Sequence, residues 1–135
     1  MEVSTYHLDA TCLPTAPCDL VMCNFAIHYF CDTKAHCTAL LDKVAACLQA
    51  GGTFCGTYER RVGMVEWGDA HHVVLGDCVD AIEWRVPWNQ IVRMAHRRGL
   101  ALVFHVPLYS IQAGSLPTIW AFIMRQRAPA QGYGT

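Results

Sequence analysis

Apolar residues along the chain form short continuous runs separated by segments with helical spacing, and this pattern predicts a mixed α/β fold. The apolar runs predict five strands, at residues 3–8, 19–25, 53–58, 100–106 and 118–124. The 19–25 run is apolar at nearly every position, which is typical of a strand buried on both faces of a parallel sheet. Residues 59–81 contain three glycines and short apolar pieces, so we expect a loop with one or two short strands there.

Two helices are predicted between these strands. Asp32 or Thr33 is the N-cap of the first, which ends near residue 49 at the glycine pair Gly51-Gly52. Pro87 begins the second helix and Gly99 ends it. A strand, a helix and a strand in close succession imply parallel pairing. The last two strands have no room for a helix between them, so we expect antiparallel neighbours.

The composition fits a single domain with a thin polar surface. Of the 135 residues, 53% are hydrophobic and only 16% are charged, against about 25% charged in typical domains. Disorder is excluded, and no apolar run reaches the roughly 18 residues of a spanning helix. We expect one domain over residues 1–127 with a flexible tail at 128–135, and part of its surface to be covered by something outside this chain. A net charge of −1 argues against a globally basic nucleic-acid binder.

The cysteines are predicted to be reduced thiols. They number eight, none forms a Cys-x-x-Cys pair, and several lie inside apolar strand or helix patterns. The first residues also lack the charged and apolar regions of a secretion signal. We therefore expect small buried side chains in a reducing compartment, and neither a disulfide framework nor a metal site.

The segment from Cys18 to Tyr29 carries a more specific pattern. It closely resembles a motif of the mRNA cap guanine-N7 methyltransferases, in which a Phe-Asp-Leu-Val-like strand is followed by Gln-Phe-x-x-His-Tyr. Asn24 stands in place of the usual glutamine and Cys18 in place of the first phenylalanine. Residues 51–57 resemble the family's Pro-Gly-Gly-x-Phe-x-Gly-Thr strand, with Ala50 in place of the proline. Phe25 with His28-Tyr29 is the most specific part of the resemblance.

Three further segments, 8–14, 82–84 and 119–122, resemble elements of the same family, so the resemblance extends over about residues 5–127. It implies a Rossmann-like class I methyltransferase sheet, mostly parallel with a reversed last strand. Such a domain opens with a strand, a glycine-rich loop and a helix, and a second strand follows them. No glycine precedes Gly51 here. We therefore expect the second part of such a domain, without its first two strands.

The resemblance also implies an activity and a set of site residues. The activity is methyl transfer from S-adenosylmethionine to guanine N7 of the mRNA cap. The residues implied for the cap guanine are Phe25, His28, Tyr29, Glu83 and Trp120, and those implied for the cofactor are Asp9, Ala10, Asn24, Phe25 and Tyr29. Guanine N7 is itself a nucleophile, so no catalytic base is expected and catalysis would consist of positioning.

The expected partners are the 5′ end of a capped RNA and a chain that supplies the glycine-rich half, with no membrane association. The expected location is intracellular: the nucleus for a cellular protein, the cytoplasm for a viral one. Two other functions remain open. One is a non-catalytic methyltransferase-like subunit of a capping complex, and the other is a class I methyltransferase acting on a small molecule.

Several candidate residues also have an ordinary structural interpretation. Trp120 and Phe25 are explained equally well by core packing, and Glu83 by a solvated surface position. The basic pairs Arg60-Arg61 and Arg97-Arg98, with Arg93, are candidates for contact with cap phosphates or RNA, but a solvated face explains them better because the chain as a whole is not basic.

Overall fold

The computed structural model describes residues 17–61 and 63–127. The predicted strand at 3–8, the cofactor candidates Asp9 and Ala10 and the tail at 128–135 lie outside the described residues. The elements in chain order are β1 (Cys18–Asn24), α1 (Lys34–Cys47), β2 (Leu48–Glu59), β3 (Ala70–Leu75), β4 (Val79–Trp84), α2 (Trp88–Arg97), β5 (Leu100–Pro107) and β6 (Ile119–Gln126). No helix among the described residues could cross a membrane.

The main sheet has four strands in the order β1-β2-β6-β5. β1 pairs parallel with β2, while β6 runs antiparallel to both β2 and β5. The predicted reversal of the last strand and its antiparallel pairing with β5 are confirmed. The prediction of a mostly parallel sheet is wrong as far as pairing is concerned, because the reversed strand lies between β2 and β5 and makes two of the three pairings antiparallel.

Helix α1 begins where predicted and ends earlier. The Thr33 hydroxyl accepts a hydrogen bond of 3.1 Å from the backbone N–H of His36, so Thr33 is the N-cap. The helix ends at Cys47, and the glycine pair lies within β2 instead of ending the helix. Gly51 has a φ of +81°, and the β1–β2 register shifts next to this segment. The two glycines therefore form an irregularity at the start of a strand.

Both helices cover one face of the main sheet and enclose the core there. The buried side chains of this layer include Leu41, Val44, Phe54, Tyr58, Ile91, Phe122 and Met124. Large side chains buried this completely contribute roughly 1.5–3 kcal/mol each to folding. The core therefore lies between this face and the two helices.

The opposite face of the sheet is uncovered among the described residues. Strand pairing aligns Met22 with Cys55, Cys55 with Ile123, and Ile123 with Phe104. Met22 is 59% exposed, and Leu20 on the same side of β1 is 51% exposed. The expectation that β1 is buried on both faces is therefore wrong within the described residues. We call the row Met22, Cys55, Ile123 and Phe104 the bare face.

Residues 59–81 contain the predicted short strand. β3 pairs antiparallel with β4 in a separate hairpin whose register places His71 opposite Glu83. The Gly68 N–H donates to the Cys31 carbonyl at 3.0 Å and links the hairpin to the main domain. The indole N–H of Trp67 donates to Gln90 Oε1 on α2 at 2.8 Å. The hairpin is thereby held against the segment that follows β1.

Candidate functional site

The chain turns sharply where β1 ends, at Phe25. This residue has a φ of 51°, the one positive value outside glycine in the described part of the chain. Its N–H donates to the Thr57 carbonyl at 2.9 Å, which anchors the turn to β2. An L-residue in this region costs about 1–2 kcal/mol, and such strain is concentrated at functional sites. The ring is 51% exposed, so the turn presents an aromatic face at the carboxyl end of β1.

His28 and Tyr29 lie in a short 3-10 helix, Ile27–Phe30, that follows the turn. Ile27 and Phe30 are buried in the core and fix this helix. Tyr29 lies at the surface and His28 is largely buried beside it, with ring centroids 4.1 Å apart. The His28 side chain is 13% exposed and Tyr29 is 42% exposed.

The fold brings His28 to Glu83, although the two residues are distant in the sequence. His28 Nε2 lies 3.4 Å from Glu83 Oε1, within ion-pair distance but outside hydrogen-bond geometry. Burial lowers the pKa of His28 below 6.5, and the negative charge of Glu83 opposes that shift. Desolvation thus outweighs the ion pair, and the imidazole is neutral at neutral pH.

Polar side chains surround this pair and form a small recess. It is lined by His28, Glu59, Arg61, His71, Glu83, Trp84, Arg85 and Val86. Buried nitrogens without a hydrogen-bond partner are present on His28, on both sides of the His71 ring and at Nε of Arg85. The recess measures about 20 Å³, room for one water molecule and not for a purine. Buried polar groups without a partner require one, and in a recess of this size a water molecule can supply it.

The candidate residues Asn24 and Trp120 are not among the residues that line this recess. Asn24 is exposed at the end of β1 and pairs in register with Thr57. Trp120 on β6 does not line the recess. One ring face of Trp120 carries the Arg60 guanidinium, with Cζ 4.7 Å from the ring centroid, and the His105 ring lies 4.6 Å from the same centroid. A purine would stack on Trp120 only after Arg60 moves.

Sequence reasoning missed three members of the recess: Glu59, His71 and Arg85. His71 lies opposite Glu83 only because of the β3–β4 register. Gly76 between two short apolar runs is a hairpin signal that could have indicated this pairing. Glu59 and Arg85 carry no comparable signal, since their positions depend on how the hairpin packs against β2.

The arginines of the expected solvated face are exposed or partly exposed and fall into two groups. Arg60, Arg61 and Arg93 line one pocket of about 300 Å³. Arg98 instead forms an ion pair of 2.6 Å with Asp42. The structure therefore divides the predicted basic face into a cluster around a pocket and a surface ion pair.

Known structures with this fold are S-adenosylmethionine-dependent methyltransferases. One from Clostridium acetobutylicum superposes with a TM-score of 0.63 at 13% identity, covering 89% of this chain and 63% of that one. A putative one from Listeria monocytogenes gives 0.59 at 10% identity, covering 85% and 64%. The fold is thus that of the class I S-adenosylmethionine-dependent methyltransferases.

The sequence comparisons find similarity to one family of methyltransferases. The mRNA (guanine-N(7))-methyltransferase domain model matches residues 3–66. mRNA cap guanine-N(7) methyltransferase 1 of Arabidopsis thaliana is 29% identical, covering 73% of this chain and 35% of the relative. The protein of the same name from Oryza sativa subsp. japonica is 28% identical, covering 72% and 35%. The predicted resemblance to the mRNA cap guanine-N7 methyltransferase family is confirmed, and the chain spans about a third of these relatives' length.

Proposed function

We propose that this chain is part of an S-adenosylmethionine-dependent methyltransferase domain that acts on guanine N7 of the mRNA 5′ cap. The observation that supports the proposal best is the approach of His28 to Glu83 within a recess of unsatisfied polar groups. The two residues come from segments that resemble the same family independently. An ordinary surface glutamate would not be expected to lie 3.4 Å from a largely buried histidine.

Glu83 supplies the chemistry for selecting guanine. Its carboxylate accepts hydrogen bonds from the N1 and N2 donors of guanine, and adenine offers no such pair of donors. Phe25 and Tyr29 offer flat faces for the purine ring, and Trp120 would offer one only if Arg60 left its ring. Because the recess is too small for a base, guanine would meet Glu83 at its mouth, after side chains there move.

The neutral state of His28 favours binding of the methyl donor. The methyl donor is a sulfonium, so a positive charge beside it would oppose its binding. Burial lowers the pKa of His28, and the imidazole adds no such charge at neutral pH. Its nitrogens remain available for hydrogen bonds to the base or to Glu83. Methyl transfer then requires alignment of N7 with the donor methyl and no proton abstraction.

The described residues fit one side of an S-adenosylmethionine site. Asn24, Phe25 and Tyr29 lie at the carboxyl end of β1, where ligands bind in open α/β sheets. Asp9 and Ala10, which lie outside the described residues, are proposed to contact the adenine. The cofactor, when bound, supplies the electrophilic methyl group. The described residues offer no glycine-rich loop for the rest of the molecule, so we propose that a glycine-rich half completes the site.

The exposed apolar side chains of the bare face favour the proposal that another layer covers this side of the sheet. Met22, Cys55, Ile123 and Phe104 form an apolar row across all four strands, and rows of this kind are normally buried. We propose that the glycine-rich half, on the same polypeptide or on a separate one, packs here. The second proposed partner is the 5′ end of a capped RNA.

An intracellular location is part of the same proposal. The seven cysteines of the described residues are all free thiols, as in a reducing compartment. The nucleus is proposed for a cellular protein and the cytoplasm for a viral one.

Calorimetric titration with a guanine cap analogue, GpppG, and its adenine counterpart, ApppA, tests the proposal. Glu83→Gln should weaken GpppG binding by about tenfold or more, since a charge-assisted hydrogen bond is lost, and should abolish the preference over ApppA. Glu66→Gln, an exposed glutamate outside the recess, is the matched control. Unchanged GpppG affinity in Glu83→Gln would remove the proposed guanine recognition.

A second titration, with S-adenosylhomocysteine, tests the cofactor site. We expect binding to require the glycine-rich half, so this chain alone should bind weakly or not at all. Micromolar affinity of the isolated chain would show that its own residues suffice, and would contradict the proposed need for a second half.

A further inference from the structure

The pocket lined by Arg60, Arg61 and Arg93 has the character of an anion site. Its volume is about 300 Å³, the lower end of the range for small-molecule sites. No carboxylate is among its lining residues, which also include Asn89 and Gln90. The net charge of the chain is −1, so the positive charge is a local feature of this pocket.

Ion pairs within the described residues leave most of this charge uncompensated. Arg61 NH2 lies 2.7 Å from Glu59 Oε1, so one of the three guanidinium groups is balanced. Neither Arg60 nor Arg93 forms an ion pair with any described carboxylate. By contrast, Arg85 and Arg98 are both paired. The pocket therefore carries about two unbalanced positive charges.

The neighbouring groups strengthen its preference for an anion. Arg60 is held over the ring of Trp120, which fixes the guanidinium while leaving its N–H groups available as donors. Gln90 accepts from Trp67 through Oε1, and its amide NH2 therefore remains as a donor. The first turn of α2 contains no acidic residue, so the partial positive charge of the helix end adds to that of the arginines.

The pocket adjoins the proposed guanine site. Arg61 and Val86 line both the pocket and the His28–Glu83 recess. Arg60 also links the pocket to Trp120. A nucleotide whose base is held at Glu83 would therefore place the atoms beyond its sugar beside the arginines.

We propose that Arg60, Arg61 and Arg93 bind the phosphate chain of the substrate. Guanidinium groups suit this role because they form paired hydrogen bonds to phosphate oxygens. The shared chemistry is a run of phosphates, which the triphosphate bridge of a cap and the backbone of the following RNA both provide. The identity of the nucleotide rests on the proposed function, whereas the anion site rests on the pocket alone.

Titration of the complete chain with inorganic tripolyphosphate tests the pocket without any base. Trp88 lines the pocket, so intrinsic tryptophan fluorescence provides a signal. Arg93→Gln should weaken binding about fivefold, the effect of losing one exposed charge contact. Arg97→Gln is the matched control, because Arg97 is also exposed on α2 but does not line the pocket. The double variant Arg60→Gln/Arg93→Gln should abolish measurable binding.

Equal effects of Arg93→Gln and Arg97→Gln, or no tripolyphosphate binding by the unmodified chain, would overturn the proposal. Two further ligands distinguish the sources of phosphate. If Arg93→Gln weakens the binding of GpppG more than that of a short single-stranded RNA with a 5′ hydroxyl, the pocket binds the triphosphate bridge. If it weakens the binding of the RNA more, the pocket binds the RNA backbone. Either result supports the site.

The Glu83→Gln variant distinguishes failure of the guanine proposal from failure of the anion site. Glu83→Gln should leave tripolyphosphate binding unchanged while reducing GpppG binding. If tripolyphosphate binding depends on Arg93 but Glu83→Gln does not change the affinity for GpppG, the result supports the anion site and contradicts the assignment of Glu83 to guanine.

Discussion

The hydroxyl of Tyr58 lies 2.7 Å from Nε2 of His105, within an aromatic stack beneath the main sheet. The His105 ring also stacks on Trp88, with centroids 4.8 Å apart. Burial, followed by the positive charge of Arg60, lowers the pKa of His105 to about 4. Burial raises the pKa of Tyr58 well above 10. Both groups are therefore neutral at pH 7, and they share a hydrogen bond.

This pair predicts that the chain loses stability in mild acid. His105 in the unfolded chain binds a proton near pH 6.5, whereas the folded state resists protonation until about pH 4. The unfolded state therefore binds more protons between these values, and the free energy of unfolding falls as pH falls from 6.5 to 4. The loss from this residue is at most about 3 kcal/mol, less to the extent that solvent screens the ring. The lowered pKa of His28 acts in the same direction.

Urea unfolding at pH 7.5 and pH 5 measures the effect. His105→Gln should reduce the difference between the two pH values, because glutamine keeps an acceptor for Tyr58 and does not titrate. His96→Gln replaces an exposed histidine on α2 and should leave the difference unchanged. An undiminished pH dependence in His105→Gln would assign the acid sensitivity to another group.

The strained backbone at Phe25 gives a second prediction, in which two variants differ in stability but both lose binding. Phe25→Gly should be about 1 kcal/mol more stable than Phe25→Ala, because glycine adopts a φ of 51° without strain and alanine does not. Both variants lose the exposed ring, so both should bind the cap analogue more weakly than the unmodified chain.

Urea unfolding and GpppG titration of the two Phe25 variants separate the roles of backbone and ring. Equal stability of the variants would show that the turn is not strained. Unimpaired ligand binding in both would remove Phe25 from the site.

The sequence was sufficient to predict most strands and both helices, because each is an apolar pattern with a recognisable start or end. Thr33 at the start of α1 and Gly99 after α2 are examples. The antiparallel pairing of β6 with β5 was predicted, but its pairing with β2 was not, since the place of β6 between β2 and β5 depends on tertiary packing and not on local pattern. Nor could the exposure of β1 be predicted, since Leu20 and Met22 have the same apolar character whether or not another layer covers them.

The residues of the candidate site also differ in whether their proximity follows from the sequence or only from the fold. His28 and Tyr29 are adjacent in a motif, so their proximity follows from the sequence. Glu83 became a candidate through family resemblance, and the structure brings it within 3.4 Å of His28. His71 and Glu59 were missed because only the folded hairpin brings them to the recess. The pocket formed by Arg93 with the Arg60-Arg61 pair depends similarly on the contact between α2 and the end of β2.

The cysteines give a third prediction, that thiol reactivity follows burial. Burial raises the pKa of Cys47 to about 12, while a hydrogen bond with Cys37, followed by burial, raises that of Cys31 above its usual range. Neither thiolate is populated at pH 8, and the thiolate is the reactive form. Cys78 is exposed and should react with iodoacetamide first.

Mass spectrometry of the alkylated chain measures this order of reaction. Cys31 and Cys47 should be modified only after urea is added, and Cys78 without it. Modification of Cys47 at the rate of Cys78 in the absence of urea would show that the α1–β2 junction opens readily.

The bare face gives the last prediction, that this chain self-associates through it. An exposed apolar row next to an unpaired strand edge favours contact between copies when no other layer covers it. Met22→Lys places a charge at the β1 end of the row and should keep the chain monomeric to higher concentration. Met22 is 59% exposed, so the free energy of unfolding should change by less than about 0.5 kcal/mol.

Sedimentation velocity over a concentration series measures the association, and Met64→Lys provides the control. Met64 is 92% exposed and lies outside the row, so the same change in charge at this position should leave association unaltered. If both lysine variants dissociate the chain equally, general charge repulsion and not the bare face controls assembly. If only Met22→Lys does so, the same surface is the one to test for binding of a glycine-rich methyltransferase half, because a layer that completes the sheet must cover Met22.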